Sequence, residues 1–397
     1  MALDFSVPQQ TRELALRTRE FVDTVVIPAE SQWGTGHGPD PELVAQLQET
    51  ARAAGVFAPT APQQMGGLGL HHRDIAVVLE EAGRSVLGPS AMNCAAPDEG
   101  NILMLDKIAD PAQRQRYLEP LSRGQVRSCF AMTEPDPGAG SDPSLLTTRA
   151  VLNDGTWHIS GRKWFSTGAW GAAFAIVMAR TGQDAATMFL VDRDNPGMRY
   201  VRTIDTIDRG SSGGHGELEF DDCQVGQDAV LGAVDEGFRY AQVRLGPARL
   251  THCMRWLGAA RRCHETAVAY AARREMFGGR SGDLGMTQQA IADNEIDIAA
   301  SRALIWQAAY ELDCDRPARS LTSMAKTFVA EATFRIADRS VQMCGALGIS
   351  ADAPVGRLFN EIRPFRIYDG PSEVHRWSIA RRAFRRLESG QLPGDWL

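Results

Sequence analysis

The feature that most limits what this chain can fold into is a change of hydrophobic period, helical at both ends and strand-like between them. Leu14, Phe21 and Val25 keep roughly helical spacing, as do Leu43, Leu47 and Ala51, and then Ile75, Val78, Leu79 and Ala82. Pro28, Gly55, the turn from Met65 to Gly69 and Gly88-Pro89 punctuate these runs, so residues 1–126 are expected to form an all-α domain. The signal then shortens. Arg127–Met132, Thr156–Ile159, Phe174–Ala179, Met188–Asp192, Met198–Val201 and Glu217–Phe220 are rich in β-formers and separated by Gly, Asp and Asn. No long helical pattern intervenes, which points to a small antiparallel barrel or sandwich over 127–236 rather than a parallel sheet. After Gly237 the helical period returns in Phe238–Arg274, Thr287–Leu312 and Pro317–Cys344, predicting a helical bundle over 237–397. Small residues at Ala259-Ala260, Ala267–Ala272 and Ala299-Ala300 suit close helix packing, including packing between subunits.

The 397 residues, 44% hydrophobic and 23% charged, exclude a disordered chain and are enough for two or three domains with sizeable cores. A net charge of -7 argues against sequence-wide affinity for nucleic acid. The basic cluster Arg381, Arg382, Arg385 and Arg386 is helically spaced among Phe384 and Leu387 and reads as a solvated or subunit-facing helix surface. Seven scattered cysteines (Cys94, Cys129, Cys223, Cys253, Cys263, Cys314 and Cys344) contain no C-x-x-C pair, which fits reduced thiols better than disulfides or a zinc site. His71-His72 has no ligand-spaced neighbours and reads as surface, so no metal is expected. The opening Met-Ala-Leu-Asp-Phe-Ser lacks the order of an export leader, and no apolar run approaches membrane-spanning length. A cytoplasmic protein is the expectation.

Chemistry concentrates in a few motifs. In Phe365–Arg376, Asp369 precedes Gly370 and Pro371, a turn that would aim a carboxylate into a cavity at the start of a helix, with Pro371 as the first helical residue. Alone, such an aspartate reads as a cap or turn residue. The segment Thr133–Asp142, Thr-Glu-Pro-Asp-Pro-Gly-Ala-Gly-Ser-Asp, offers a hydroxyl, glycines for close backbone approach and Ser141 near free amides; its bland reading is a long loop. Gly161–Gly168 sets Trp164 beside Ser166 and Thr167, an aromatic face with hydroxyls or simply a core tryptophan. Arg273–Gly278 closes a long helix, where Arg274 suits either a pyrophosphate or the helix dipole, and Gln342–Gly348 ends another, with a glycine cap as the plain alternative.

Taken together and in this order, with α, β and α domains around them, these motifs resemble the acyl-CoA dehydrogenase family over nearly the whole chain. The resemblance implies an α+β fold with an N-terminal α-helical domain, a middle β-barrel domain and a C-terminal four-helix bundle. It also implies an FAD enzyme of fatty acid metabolism, a homodimer or homotetramer, with the flavin between the β domain and the bundle. On that comparison Met132, Thr133, Gly140 and Ser166 match residues around the flavin ring, Trp164 the aromatic beside it, and Ser141 a residue touching flavin or CoA. Arg274, Phe277, Gln289, Gln342 and Gly345 match groups reaching FAD across a subunit interface, and Ser372 and Glu373 further cofactor contacts. Gly370 and Arg249 match substrate positions.

Asp369 stands where most of the family has a glutamate base, so the carboxylate is kept with one methylene fewer, as in a branch that uses aspartate. Two departures accompany it: the family's Asp-x-x-Arg motif reads Gly246-Pro-Ala-Arg249, and Asp136-Pro137 are extra residues in the flavin loop. The implied reaction is α-proton abstraction by Asp369 with β-hydride transfer to flavin N5, giving a trans-2-enoyl-CoA and passing electrons to an electron-transferring flavoprotein. The runner-up is an oxidase of the same fold, such as a nitroalkane oxidase, whose base is also an aspartate and whose substrate carries no CoA.

Overall fold

Residues 5–33, 36–392 and 394 are described by a computed structural model. Met1–Asp4, part of the opening run read above, lie outside them. Helices fill the chain to Ser122, strands run from Ser128 to Val225, and helices return at Gly237, giving the α, β, α order. By its contacts the chain divides into two units, one made of 1–12, 72–86 and 249–397, the other of 13–71 and 87–248. No helix among the described residues is long and apolar enough to cross a membrane.

In the first unit the helix His72–Ala82, early in the chain, packs with helices from the C-terminal half. Two glycines make this possible. A Cβ on Gly83 would lie 1.9 Å from the carbonyl oxygen of Arg255, and one on Gly258 would lie 2.0 Å from that of Glu80. The approach brings carboxylates from one segment to guanidinium groups of the other. Arg261 reaches Glu80 at 2.8 Å and Glu81 at 3.0 Å, and Arg302 reaches Glu80 at 2.6 Å. His72, read in sequence as a surface residue, is instead partly buried: Asp313, at the end of the helix Gly285–Asp313, accepts from the amides of His72 and Arg73 at 2.7 and 3.1 Å. A carboxylate there satisfies amides that a helix start leaves unpaired.

The long helices Gly285–Asp313, Arg319–Cys344 and Ser372–Glu388 complete this unit. Helix Arg319–Cys344 buries Ala325, Val329, Ala330, Thr333, Ile336 and Ala337, a face of small and branched side chains that lets neighbours come close. Asp297 joins it to helix Gly285–Asp313 through Arg335 at 2.6 Å and Arg339 at 2.8 Å. Cys253 and Cys263 are fully buried, and burial pushes their thiols up to about 12, so they act as small apolar core residues.

The second unit holds seven strands: β1 (Ser128–Ala131), β2 (Arg149–Asn153), β3 (Thr156–Thr167), β4 (Phe174–Arg180), β5 (Ala186–Asp192), β6 (Met198–Ile204) and β7 (His215–Val225). They join in one sheet of order β1-β4-β2-β3-β7-β6, with β5 on β4. Most neighbours are antiparallel, but β1 and β4 run parallel from Ser128↔Phe174 to Ala131↔Val177. The long connection through β2 and β3 returns the chain in the same direction, which short turns would not allow. β4 is apolar along nearly its whole length and buried on both faces, as a central strand should be. Trp157 of β3 meets Phe189 of β5 edge-on at 5.2 Å in the core. Half-buried Asp98 accepts from the Ser128 amide at 2.8 Å, fixing the helix Asp98–Ile108 to the first strand.

Gly258→Ala tests the close approach in the first unit. Overpacking of this kind costs typically about 1–3 kcal/mol, so the variant should unfold at lower urea concentration than the parent with an unchanged slope. Parent-like unfolding would mean that the two backbones stand further apart.

Candidate active site

The turn that carries Asp369 is built from three directions. Helix Pro354–Ile362 runs into a 3-10 turn over Arg363–Arg366, and helix Ser372–Glu388 leaves on the far side. Between them Asp369 adopts φ +53 and Gly370 φ +97. Aspartate is among the few non-glycine residues that tolerate the left-handed region. Pro371 occupies the N-cap rather than the first helical position expected from sequence, so the helix begins one residue later, at Ser372. Its ψ of 153 is extended, which no first helical residue could be.

Donors from three helices hold the turn's carbonyl groups. Arg249 Nε donates to the Asp369 carbonyl oxygen at 2.8 Å, and His375 Nε2 lies 3.1 Å from the same atom. A carbonyl only accepts, so His375 carries its proton on Nε2. Burial, reinforced by Arg249 and Lys326, pushes this imidazole down to about 4, and it is therefore neutral at pH 7. Lys326, fully buried, donates to Phe365 O at 2.7 Å and Gly370 O at 2.8 Å and stands 5.0 Å from the Phe365 ring centroid. Burial pushes the ammonium down to about 8, against the pull of Cys253 and Asp369. It remains charged at neutral pH. Glu331 bridges the two sides of the turn, reaching Arg366 at 2.9 Å and Arg376 at 3.8 Å. Burial opposes its charge, but the hydrogen bond from Arg366 holds the carboxyl below its ordinary range. A Cβ on Gly370 would meet His375 Nε2 at 2.8 Å, so this position admits glycine on grounds of both space and φ.

A second site-bearing region belongs to the other unit. Glu134, at the head of the glycine-rich loop, is buried and accepts from Lys163 at 2.8 Å, the Thr147 amide and hydroxyl at 2.6 and 2.7 Å, the Ala139 amide at 3.1 Å and the Thr148 amide at 2.8 Å. Lys163 Nζ also donates to Met132 O at 3.0 Å, and the Trp164 amide to Thr133 O at 3.0 Å. Burial works against the charge on Glu134, yet Lys163 and the loop donors hold it down to about 2. These contacts weld the loop to β3. Just beyond, the β3–β7 register shifts between Lys163 and Ser166, and Phe165 takes φ +47. The shift leaves Phe165 exposed and turns Ser166 inward, where its hydroxyl is fully buried and has no hydrogen-bond partner among the described residues. Trp164 is half-buried beside it, while Gly140 and Ser141 lie exposed on the loop.

Met132, Thr133, Trp164 and Ser166 thus gather at one end of β1 and β3, and Arg249, Asp369, Gly370 and Ser372 gather at the turn. Arg274, Phe277, Gln289, Gln342, Gly345 and Glu373 are exposed on the single chain, Phe277 to 95%. Arg274 and Phe277 flank the start of a two-residue hairpin, Glu275–Met276 with Gly279–Arg280, after the helix Gly237–Arg273. Sequence reasoning missed Lys326, His375 and His252 at the turn, and it gave no task to Glu134 and Lys163, which fall inside the segments Thr133–Asp142 and Gly161–Gly168. A charged residue inside an otherwise buried helical stripe, as Lys326 is, was the available signal.

Comparison with known proteins places the chain in a family. The N-terminal, middle and C-terminal domains of acyl-CoA dehydrogenase match residues 8–125, 129–223 and 235–384. The chain belongs to the acyl-CoA dehydrogenase family. It is 35% identical to the probable acyl-CoA dehydrogenase FadE2 of Mycobacterium tuberculosis, with 98% of each chain covered. It is 34% identical to the chicken (Gallus gallus) acyl-CoA dehydrogenase family member 11 over 95% of its own length, but spans about half, 51%, of that relative. The structure of a putative acyl-CoA dehydrogenase from Mycobacterium abscessus superposes with a TM-score of 0.91 at 34% identity, covering 96% of this chain and 100% of that one. The fold is therefore that of the family, with a helical domain, a half-barrel sheet and a second helical domain. The protein is an FAD-dependent oxidoreductase of the acyl-CoA dehydrogenase class. Its residues suit the cofactor: the buried, unpartnered Ser166 hydroxyl, two residues along the strand from half-buried Trp164, is what a flat heterocycle with polar edges would satisfy.

Removing one partner of a buried ion pair leaves an uncompensated charge, at a cost of about 3–5 kcal/mol. Lys163→Met should therefore destabilise the protein far more than the Lys163→Met, Glu134→Gln double variant, as read by urea unfolding at pH 7. The folded Glu134 carboxyl binds its proton less readily than the unfolded one, so its contribution is complete above pH 4.5 and fades as pH falls towards about 2. Equal stability of the single and double variants would show that Glu134 is not charged in the fold.

Proposed function

We propose that this chain oxidises an acyl-CoA thioester to the trans-2-enoyl-CoA, with Asp369 as the base that removes the α-proton. The observation that supports this most is the backbone beneath Asp369, a left-handed turn whose two carbonyls are held by Arg249, His375 and Lys326. A thioester α-proton is too weakly acidic for a loosely placed carboxylate, so both the position of the base and stabilisation of the enolate oxygen are required. Bound FAD supplies the acceptor for the β-hydride. Met132, Thr133, Gly140, Ser141, Trp164 and Ser166 are the proposed holders of its ring, with Ser372 and Glu373 at the head of the last helix. Arg274, Phe277, Gln289, Gln342 and Gly345, exposed on the single chain, are assigned to FAD across the interface of a homodimer or homotetramer. Ser141, Arg249 and Gly370 are assigned to the substrate, and Arg249 then has two tasks, since its Nε already holds the Asp369 carbonyl. The three domains are 1–126, 127–236 and 237–397. Electrons are passed to an electron-transferring flavoprotein in the cytoplasm.

The test is anaerobic mixing with butanoyl-, octanoyl- and palmitoyl-CoA and, separately, with nitroethane, following the flavin absorbance. Bleaching by at least one thioester is expected. Asparagine also tolerates the left-handed turn, so Asp369→Asn should bind FAD and thioester normally while reduction slows about 10²- to 10⁴-fold. Rapid reduction in that variant would remove Asp369 from the role, and bleaching by nitroethane alone, with fast reoxidation in air, would replace the dehydrogenase by an oxidase.

Arg274→Ala should lower the FAD content of the purified protein and weaken its assembly, because a guanidinium pairs bidentately with a pyrophosphate and alanine offers nothing. The ratio of flavin to protein absorbance and sedimentation velocity read both effects. A variant with full FAD and an unchanged sedimentation coefficient would return Arg274 to the status of a helix-end charge.

A further inference from the structure

We propose that His252 is a positioning residue for the base, a neutral imidazole fixed in its Nε2–H tautomer and aimed at the Asp369 carboxylate. The inference rests on Asp369 as the base and goes beyond it. His252 lies on the helix Gly237–Arg273, one turn beyond Arg249, and is nearly buried. Its Nε2 stands 3.5 Å from Asp369 Oδ2. Its other nitrogen, Nδ1, faces Arg255 Nη2 at 3.2 Å and the Tyr368 hydroxyl at 3.4 Å. A guanidinium has donors only, so Nδ1 must accept and the proton of the neutral ring sits on Nε2. The hydroxyl is set in the same sense. Trp256 Nε1, also a donor only, gives its hydrogen to the Tyr368 oxygen, leaving the Tyr368 proton to point towards His252. Ring packing holds the imidazole plane: the His252 centroid lies 4.9 Å from that of Tyr368 and 5.9 Å from that of Phe365.

Arg255 and the Tyr368 hydroxyl, which itself accepts from Trp256, both place donors at Nδ1, whose one lone pair takes the shorter bond from Arg255, so Nε2–H is directed at one oxygen of the carboxylate. The second oxygen is then oriented to take the α-proton. At 3.5 Å the last contact is long for a hydrogen bond, as such contacts often are before substrate closes them. Aspartate has a shorter arm than glutamate, and an N–H on one oxygen fixes its terminal torsion, which is otherwise broad.

The other groups facing Asp369 are Arg249 and Cys253 on the same helix, Lys326 on Arg319–Cys344 and His375 on Ser372–Glu388. Cys253 is pushed up to about 12 and Lys326 down to about 8, both largely by burial, so neither changes charge on the acid side of neutrality. His375, down at about 4, would move the whole turn if it gained a proton. It is common to all the variants below.

The experiment compares parent, His252→Leu, His252→Gln and Asp369→Asn as FAD-loaded protein, with anaerobic reduction by octanoyl-CoA measured from pH 5 to 9. Loss of the N–H donor disfavours the ionised carboxylate, so in His252→Leu the acid limb of the rate profile should move to higher pH and the rate at pH 7 should fall about tenfold or more. The glutamine amide can replace Nε2–H, and His252→Gln should recover most of both with parent FAD content and melting temperature. In selectively labelled parent protein the ring nitrogen shifts should show Nε2 protonated and Nδ1 bare. An unshifted limb in His252→Leu, a Gln variant no better than Leu, or a protonated Nδ1 overturns the positioning role. If His252→Leu fails to fold, the Gln profile and the nitrogen shifts still decide. Fast reduction in Asp369→Asn would instead defeat the base assignment and, with it, the inference; slow reduction there with a parent-like His252→Leu defeats the inference alone.

Discussion

Everything proposed for the turn depends on main-chain carbonyls being held by charged and neutral donors that come from elsewhere in the chain. A non-glycine residue in the left-handed region costs about 1–2 kcal/mol. A hydrogen bond to a charged group returns about 1.5–3 kcal/mol. Arg249 and Lys326 provide such bonds, to Asp369 O and to Gly370 O, so the donors exceed the strain. The ammonium of Lys326, which burial pushes down to about 8, is held by two such bonds, to Phe365 O and Gly370 O. Neutral His375 adds a third donor without adding a charge beside the carboxylate.

The other unit solves a similar problem in a similar way. Lys163 ties the Met132 carbonyl and the Glu134 carboxylate to β3, and Glu134 in turn gathers amides from Ala139, Thr147 and Thr148. A buried pair of this kind is poor evidence for stability, since apolar side chains of like volume often do as well. It is better understood through what it places. With the loop fixed at Glu134, the register shift that follows Lys163 turns Ser166 inward and holds Trp164 beside it. Local strain at Phe165, φ +47, is the local cost of that orientation.

How far the sequence revealed this differs from residue to residue. The α, β, α order was legible because the hydrophobic period changes twice, and the five motifs were legible because each sets a glycine beside polar or aromatic side chains. β2 was not, since Arg149–Asn153 buries a single side chain and has almost no apolar alternation. The parallel pairing of β1 with β4 was hidden because direction depends on a connection that no short window contains. The place of His72–Ala82 among the C-terminal helices depended on Gly83 and Gly258, whose close approach to an opposing backbone no local pattern shows. His252, Lys326 and Asp369 are far apart in the chain. Nothing local to any one of them announces the other two.

Taken as the base proposed above, Asp369 gives these observations a common physical sense. A glutamate reaches its substrate through three side-chain torsions and can correct a backbone that is slightly misplaced, whereas an aspartate has two and inherits the position of its own Cα almost directly. Fewer rotors mean less entropy to lose when the carboxylate is set, but also less tolerance of error in the main chain. A chain that uses aspartate must therefore fix the backbone itself. Arg249, His375 and Lys326 on two consecutive carbonyls do so, and the proposed role of His252, 3.5 Å from the carboxylate oxygen, is to fix the remaining torsion. The missing methylene and the crowd of donors around Asp369 are, on this argument, one adaptation rather than two.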